Sequence, residues 1–399
     1  MSNAIVGAAF FSCKNIKRKI VLARIKMICL FFKTFAFLFP IRESQFFCMS
    51  MLGRSMGCNI EPLAKYISAQ EEKNVVIWAF DKVVFDVYCH KVHHSVKVGT
   101  FAYYKALFCS RYLIVNQRMT DYHCPMKRNG QIYLQTWHGT ALKRIENDIP
   151  GVDEKYKKRA ERDSSMIDVF ISGSAFMSNL YKQSFWYSGP VFETGSPRND
   201  IFFDKDDCVN LKVRSALGVK REERIVLYAP TFRQSVDSFL AYDVDSILFR
   251  RCLEKKFGGS WRFLVRLHPN LINEENATRI RRMYPEAIDV SRYPDMQELL
   301  FAADVLVTDY SSSMFDYMYT GRPCFLYVKD YACYDRGFYF NFSELPFPVI
   351  ERNSMIEPIV CGFDKEEYDC KVKSFFDRIG SVETGVASKR CYELLVGRA

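Results

Sequence analysis

Along most of the chain, short apolar runs rich in β-branched and aromatic residues alternate with longer stretches of helical spacing. Val75-Val76-Ile77-Trp78, Tyr112-Leu113-Ile114-Val115, Ile132-Tyr133-Leu134 and Val169-Phe170-Ile171-Ser172 read as buried strands, with Val191-Phe192-Glu193-Thr194 as a further candidate. Residues 99–110 and 153–165 between them have the length and spacing of helices. A polar stretch, 204–223, interrupts the pattern and holds a boundary near Gly218. The alternation then restarts at Arg224-Ile225-Val226-Leu227-Tyr228. It continues through Arg262-Phe263-Leu264-Val265-Arg266, Ala287-Ile288-Asp289-Val290, Val305-Leu306-Val307 and Cys324-Phe325-Leu326-Tyr327, with a helix over 296–303. Strands alternating with helices imply parallel sheets covered on both faces. The pattern therefore predicts two successive α/β domains, 46–217 and 218–399, facing across a cleft.

The first 45 residues break this pattern. Up to Arg42 they carry basic residues (Lys14, Lys17, Arg18, Lys19, Arg24, Lys26, Lys33 and Arg42) and no acid, interleaved with Ile20-Val21-Leu22, 27–32 and 35–39. A spanning helix needs about 20 apolar residues in a row, and Lys33 interrupts the best run. Charge and apolar residues are mixed, unlike the order of a signal peptide. The segment reads as an amphipathic helix lying in the plane of an anionic leaflet; an ordinary amphipathic helix packed on the first domain is the other reading.

Composition narrows the partners. The chain has 399 residues, 49% hydrophobic, and a formal charge of +10. Its length suits two cores, its apolar content excludes disorder, and the charge favours anionic partners. Nucleic acid is disfavoured, because no binding motif is present and the basic excess gathers at the N-terminus. The 14 cysteines form no CxxC pair and sit singly among apolar residues, as small buried hydrophobes in a reducing compartment.

In open α/β sheets ligands bind beyond the carboxyl ends of the strands, and the unusual residues gather there. Gln135-Thr136-Trp137-His138-Gly139-Thr140 follows a strand and presents an imidazole on a tight glycine loop, either a proton-transfer group or a structural turn histidine. Arg266-Leu267-His268-Pro269 ends another strand with a cation and an imidazole that can hold a diphosphate. Thr308-Asp309-Tyr310-Ser311-Ser312-Ser313, then Phe315-Asp316, should open a helix whose hydroxyls and N–H groups take phosphate, with Asp309 or Ser311 also eligible as a cap. Tyr228-Ala229-Pro230-Thr231-Phe232-Arg233 and Thr194-Gly195-Ser196-Pro197-Arg198-Asn199-Asp200 end their strands in proline loops with an arginine. No Walker-type loop occurs. Asp243-Val244-Asp245 lacks a matching strand for a metal site, and His90, His93 and His94 lack accompanying ligands, so a surface face is the preferred reading for them.

These motifs, in this order, resemble those of the CDP-glycerol glycerophosphotransferases, the teichoic-acid primase and polymerase family. Arg322-Pro323, Tyr327 and Arg336-Gly337-Phe338 extend the likeness, which covers roughly residues 70 to 350. The chain departs from the family at Ala141, often proline there, at Ser196, often tyrosine, and at Ser313, often hydrophobic.

The resemblance implies a GT-B-like fold, two Rossmann-like domains with the donor on the second and the acceptor approaching from the first. It implies transfer of glycerol phosphate, or a related polyol phosphate, from CDP-glycerol to a hydroxyl of a lipid-linked acceptor, releasing CMP, in the synthesis of a teichoic-acid-like or capsular polymer. No cofactor is implied, and the enzyme would work peripherally at the cytoplasmic face of the membrane. His138 is then the general base and His268 a catalytic partner at the diphosphate. Arg233, Arg266, Thr231, Thr308, Ser311, Ser312 and Asp316 would bind the donor, and Trp137, Gly139, Thr140, Arg198 and Asp309 complete the motifs. A nucleotide-sugar glycosyltransferase of the same architecture, making capsule or lipopolysaccharide, is the nearest rival.

Overall fold

The computed structural model describes residues 20–119, 123, 126–233, 243–331 and 337–398. Residues 1–19, with Lys14, Lys17, Arg18 and Lys19 of the N-terminal segment, lie outside them, as does Arg336.

The first unit is a seven-stranded parallel sheet built from β1 (Arg42–Met49), β2 (Val75–Phe80), β3 (Ser95–Lys97), β4 (Ser110–Val115), β5 (Ile132–Gln135), β6 (Val169–Ile171) and β7 (Val191–Phe192), in the order β3-β2-β1-β4-β5-β6-β7. The second is a six-stranded parallel sheet of β8 (Arg224–Tyr228), β9 (Trp261–Val265), β10 (Ile288–Asp289), β11 (Val305–Thr308), β12 (Cys324–Tyr327) and β13 (Val349–Ile350), in the order β10-β9-β8-β11-β12-β13. Both sheets reverse direction of growth once, between β1 and β4 and between β8 and β11. Each reversal opens a crevice at the strand ends, where α/β proteins bind ligands.

Strand composition explains burial. β4, β5, β8, β11 and β12 are almost wholly buried because helices cover both faces, which removes the alternation of a one-sided sheet. The intervening helices start at side-chain caps: Asp153 accepts from Tyr156 N (3.1 Å) at Glu154–Met166, and Ser174 accepts from Met177 N (3.2 Å) at Ala175–Ser184. The polar stretch 204–223 contains the helix Cys208–Leu217, which ends at Gly218 with φ 65°. Glycine takes that left-handed cap without a Cβ penalty.

Three arrangements add to the pattern, the second of them matching the reading of the N-terminal segment as a helix packed on the first domain. β1 begins at Arg42, within the segment assigned ahead of the first domain, yet it is a central strand pairing with both β2 and β4. Helical residues 20–34 bury Ile25, Cys29 and Phe32 against the first unit while leaving Met27 and Leu30 at 66% and 64% exposure, and Phe37 in the turn that follows is 75% exposed. The last helix, Ala387–Val396, returns to the first unit: Cys391, Tyr392 and Leu395 pack in the core beside Phe46 and Trp78, and Asp200 accepts from the N–H groups of Ala387 and Ser388 (both 2.8 Å).

Candidate active site

β5 ends in the loop that carries His138, and the loop's own side chains shape it. Gln135 Oε1 accepts from Trp137 N (3.0 Å), Thr136 Oγ1 donates to Trp137 O (2.9 Å), and Trp137 is held at φ 49°. That conformation costs a non-glycine residue about 1–2 kcal/mol and persists only where the surroundings over-determine it. Trp137 then stacks on the His138 ring at 4.3 Å, and Asn59 Nδ2 holds its carbonyl (3.1 Å). Gly139 has φ 111°, and a Cβ there would lie 1.8 Å from Arg198 Nη2. The glycine is thus what lets the Arg198 guanidinium reach His138 O, at 2.7 Å.

His138 Nδ1 lies 2.9 Å from the carbonyl of Asn116 at the end of β4. A carbonyl can only accept, so Nδ1 carries the proton and Nε2 keeps its lone pair. Burial pushes the His138 pKa down to about 4; the Asn116 carbonyl opposes this, and the Arg198 charge reinforces it. The ring is therefore neutral at pH 7.

His268 shows the opposite tautomer. Its Nδ1 accepts from Asn270 N (3.2 Å), so Nε2 bears the proton and donates. Its ring stacks on Phe232 at 5.8 Å, and its pKa is lowered by burial, with Lys143 adding to the shift. Arg266 Nη1 donates to the carbonyls of Val290 (3.2 Å) and Tyr293 (2.9 Å), which orient the guanidinium without neutralising it.

Both reversals open onto one cavity of about 900 Å³ lined by His138, Arg198, Thr231, Arg266, His268, Ser311, Ser312 and Asp316. Ser311 Oγ meets Ser313 Oγ at 2.8 Å, and the helix they open, Ser313–Tyr317, is a single short turn of five residues. Asp295, also in the wall, has its pKa raised to about 6 by burial and by Glu61.

Several residues expected at the donor have other work. Arg233 is clamped by Asp309 (2.7 Å) and Asp330 (2.6 Å) and also donates to Thr231 O and Oγ1 (2.9 and 2.7 Å). The Asp309 carboxylate also accepts from Thr231 N (2.8 Å), and Thr308 Oγ1 donates to Ala229 O (2.7 Å). Arg233, Asp309 and Thr308 are buried behind the cavity wall and brace the loop that presents Thr231. Asp316 faces Arg198 across the cleft (2.7 Å) and accepts from Gln297 Nε2 (3.0 Å). Asp316 lines the cavity, and its pairing with Arg198 ties the two units together there. Thr140 is half-buried and does not line the cavity.

The other sequence candidates stand apart. Asp243 pairs with Lys329 and accepts from Tyr327 OH (3.0 Å), while Asp245 caps Ser246–Phe257 through Leu248 N (2.9 Å). His90, His93 and His94 are exposed, and no cluster able to hold a metal ion occurs among the described residues.

Two features escaped the sequence. Asn116 receives His138 through its carbonyl, accepts from Met51 N at Oδ1 (2.8 Å) and donates from Nδ2 to Ser50 Oγ (3.2 Å). Its polar successors, Gln117 and Arg118, directly after a strand were the available signal. The second is the loop after β1, where Met51, Leu52 and Gly53 take φ 48°, 56° and 82° in succession. At Gly53 a Cβ would lie 2.8 Å from Asp81 N. The two non-glycine residues cost about 1–2 kcal/mol each in this conformation. No sequence signal marked this loop, because β1 itself was hidden.

Comparison with known proteins gives a consistent picture. A family model described as CDP-glycerol:poly(glycerophosphate) glycerophosphotransferase matches residues 30–397. A teichoic acid poly(glycerol phosphate) polymerase of Bacillus spizizenii is 29% identical over 376 residues, covering 90% of this chain and 94% of the relative. One from Staphylococcus epidermidis is 33% identical over 370 residues, covering 85% of this chain and 49% of that longer protein. Among solved structures, the wall teichoic acid polymerase TagF superposes with a TM-score of 0.77 at 29% identity, covering 90% of this chain and 89% of the other.

Proposed function

The chain belongs to the CDP-glycerol:poly(glycerophosphate) glycerophosphotransferase family, and on that premise we propose that it transfers glycerol phosphate from CDP-glycerol to a hydroxyl of a lipid-linked acceptor in teichoic acid synthesis. The observation that carries the site assignment is the pair of opposed tautomers. His138 offers a bare Nε2 and His268 an Nε2–H to the same cavity. One can take a proton; the other can donate a hydrogen bond.

In the reaction the acceptor hydroxyl gives its proton to His138 Nε2 as its oxygen attacks the β-phosphorus of CDP-glycerol. The bond between that phosphorus and the bridging oxygen breaks, and the electron pair leaves with CMP. Arg266, the His268 N–H and the Ser311 and Ser312 hydroxyls stabilise the charge that gathers on the phosphates. A neutral imidazole with a pKa near 4 is by itself a weak base. The negative diphosphate favours imidazolium once bound and strengthens the base where it is needed.

The N-terminal helix supports association with a membrane surface. One face is fixed to the first unit, while Met27, Leu30, Phe31, Phe35, Phe37 and Leu38 stay exposed beside Lys26 and Lys33. No helix among the described residues is long and apolar enough to cross a membrane. The reading is that this face lies in the interface of an anionic leaflet, which would bring the cleft to a lipid-linked acceptor.

A donor screen tests the activity. CMP release from CDP-glycerol, abolished in His138→Ala with donor binding retained, is the expected result. UDP release from a UDP-sugar, or unchanged turnover in His138→Ala, would overturn it.

A further inference from the structure

The strap by which the chain returns from the second unit to the first seats a carboxylate that the transfer chemistry above does not use. The helix Lys365–Ile379 ends at Gly380, and the next residues run along the first unit. Ser381 bridges Ser174, and Val382 N donates to Gly173 O (3.1 Å). Glu383 follows. Both of its carboxylate oxygens accept from Ser196 N (3.0 and 2.9 Å), and Oε1 also accepts from Asn199 Nδ2 (3.0 Å). A Cβ at Gly195 would lie 2.8 Å from Oε2, and one at Gly173 closer still to Oε1. Two glycines therefore leave the room that this carboxylate fills.

The turn that Glu383 grips is the one that presents Arg198 to the base. Arg198 Nη1 donates to His138 O (2.7 Å), and Nη2 pairs with Asp316 of the second unit (2.7 Å). Arg198 N donates to Asn59 Oδ1 (3.1 Å), while Asn59 Nδ2 holds Trp137 O (3.1 Å). The turn thus reaches the His138 loop twice, through the guanidinium and through Asn59. A buried guanidinium is aimed only as well as the backbone beneath it is fixed. The charge on Glu383 matters to that fixing. Burial raises its pKa to about 7 against the Ser196 and Asn199 donors, and Asp316 adds to the rise. Tyr319 and Cys391 also face its charge, and Arg198 and Asp200 lie on the turn itself. A proton on Glu383 turns one oxygen into a donor and takes an acceptor from Ser196 or Asn199.

We propose that Glu383 is a positioning residue for the transfer: as a carboxylate it fixes the Ser196–Asn199 turn, so that Arg198 holds the His138 loop and Asp316 in one relation across the cleft. This rests on the glycerophosphotransferase reading above and deepens it. A segment far from every motif of the cavity then takes part in aiming the base, and the protonation of Glu383 sets how firmly the base is aimed.

The test measures CMP release by the full chain from CDP-glycerol, with a lipid analogue ending in glycerol phosphate as acceptor. Glu383→Gln keeps the shape but turns one oxygen into an amide NH₂ that faces the Ser196 N–H. Its kcat should fall about 10- to 100-fold while the KM for CDP-glycerol stays within about twofold of wild type. Wild-type kcat should drop as pH falls through about 7, where Glu383 takes up its proton, and Glu383→Gln should lack that limb. In an Arg198→Ala background Glu383→Gln should cost almost nothing further, because the arginine through which it acts is gone. Arg198→Lys replaces Arg198→Ala in this cycle if the alanine variant is unfolded or inactive, and the two losses should then fall short of additive. Additive losses, a wild-type kcat in Glu383→Gln, or a limb near pH 7 that survives in that variant would overturn the proposal. If the wild-type chain releases no CMP from CDP-glycerol, the parent reading falls; an active wild type with an unchanged Glu383→Gln removes only the role of Glu383.

Discussion

Replacing Gly139 with alanine gives a sharp test of how the base is held, because a second glycine serves as its control. Gly139 (φ 111°) and Gly218 (φ 65°) both have positive φ, so alanine is strained at either, by about 1–2 kcal/mol. Their surroundings differ. Nothing lies within 4 Å of a Cβ at Gly218, whereas at Gly139 it would sit 1.8 Å from Arg198 Nη2 and 2.7 Å from Cζ. The guanidinium must move, and it is buried between Asp316 and His138 O. Separating a buried pair costs about 3–5 kcal/mol, so Gly139→Ala should lose roughly 4–7 kcal/mol in total and Gly218→Ala about 1–2. Urea unfolding followed by circular dichroism reads both losses as shifts of midpoint at constant slope. Displacing Arg198 also releases the His138 loop, and a misplacement of about 1 Å can cost 100-fold in rate, so CMP release should fall in Gly139→Ala alone. Equal midpoint shifts in the two variants, or full activity in Gly139→Ala, would refute the account.

Other outcomes follow from the same geometry. Because the folded pKa of His138 is about 4, the unfolded chain binds the extra proton between there and the ordinary value near 6.5. The His138 contribution to stability therefore rises as pH climbs from 4 to 6.5 and is level above that, by about 3 kcal/mol in all. Comparing unfolding free energies of wild type and His138→Gln across that window should show the difference; parallel curves would sink the assignment. Arg233→Ala should cost about 3–5 kcal/mol by stranding Asp309, and a loss below 1 kcal/mol on denaturation would remove its bracing role. The double substitution Leu30→Glu, Phe37→Glu should cut sedimentation with anionic vesicles at least tenfold while leaving the melting temperature in place, since both side chains are exposed. Retained vesicle binding would remove the apolar face from the membrane reading.

Most strands of the second unit were legible, Arg224–Tyr228 and Cys324–Tyr327 residue for residue as the apolar runs imply, whereas the two-residue edge strand Val349–Ile350 is too short to show in the pattern. Such runs are buried on both faces and bounded by polar loops, which is information a sequence carries locally. β1 was not legible, because its first half, Arg42-Glu43-Ser44-Gln45, is polar and reads as the end of the basic segment, which leaves only Phe46-Phe47-Cys48-Met49 as an apolar run. Site legibility divided in a similar way. Strand ends located His138, His268, Arg266, Thr231 and the serines in one cavity. They could not say which side chains were already engaged. Arg233 and Asp309 satisfy each other, and Asp316 meets an arginine from the opposite unit, 118 positions away in sequence. Pairing of that kind depends on the tertiary approach of two loops, and no local pattern encodes it.

The return of Ala387–Val396 to the first unit bears on the order in which the molecule can be made. Domains ordinarily fold as units, the N-terminal one first, while synthesis proceeds. Here part of the core around Phe46, Trp78 and Leu134 is supplied by Cys391, Tyr392 and Leu395, which leave the ribosome after every strand of both sheets. The second sheet is complete once β13 has emerged, so it can close while the earlier one still waits for its final helix. A nascent chain would thus carry a finished second sheet beside an unfinished first unit, and the cleft between them would come into being only once Ala387–Val396 has emerged.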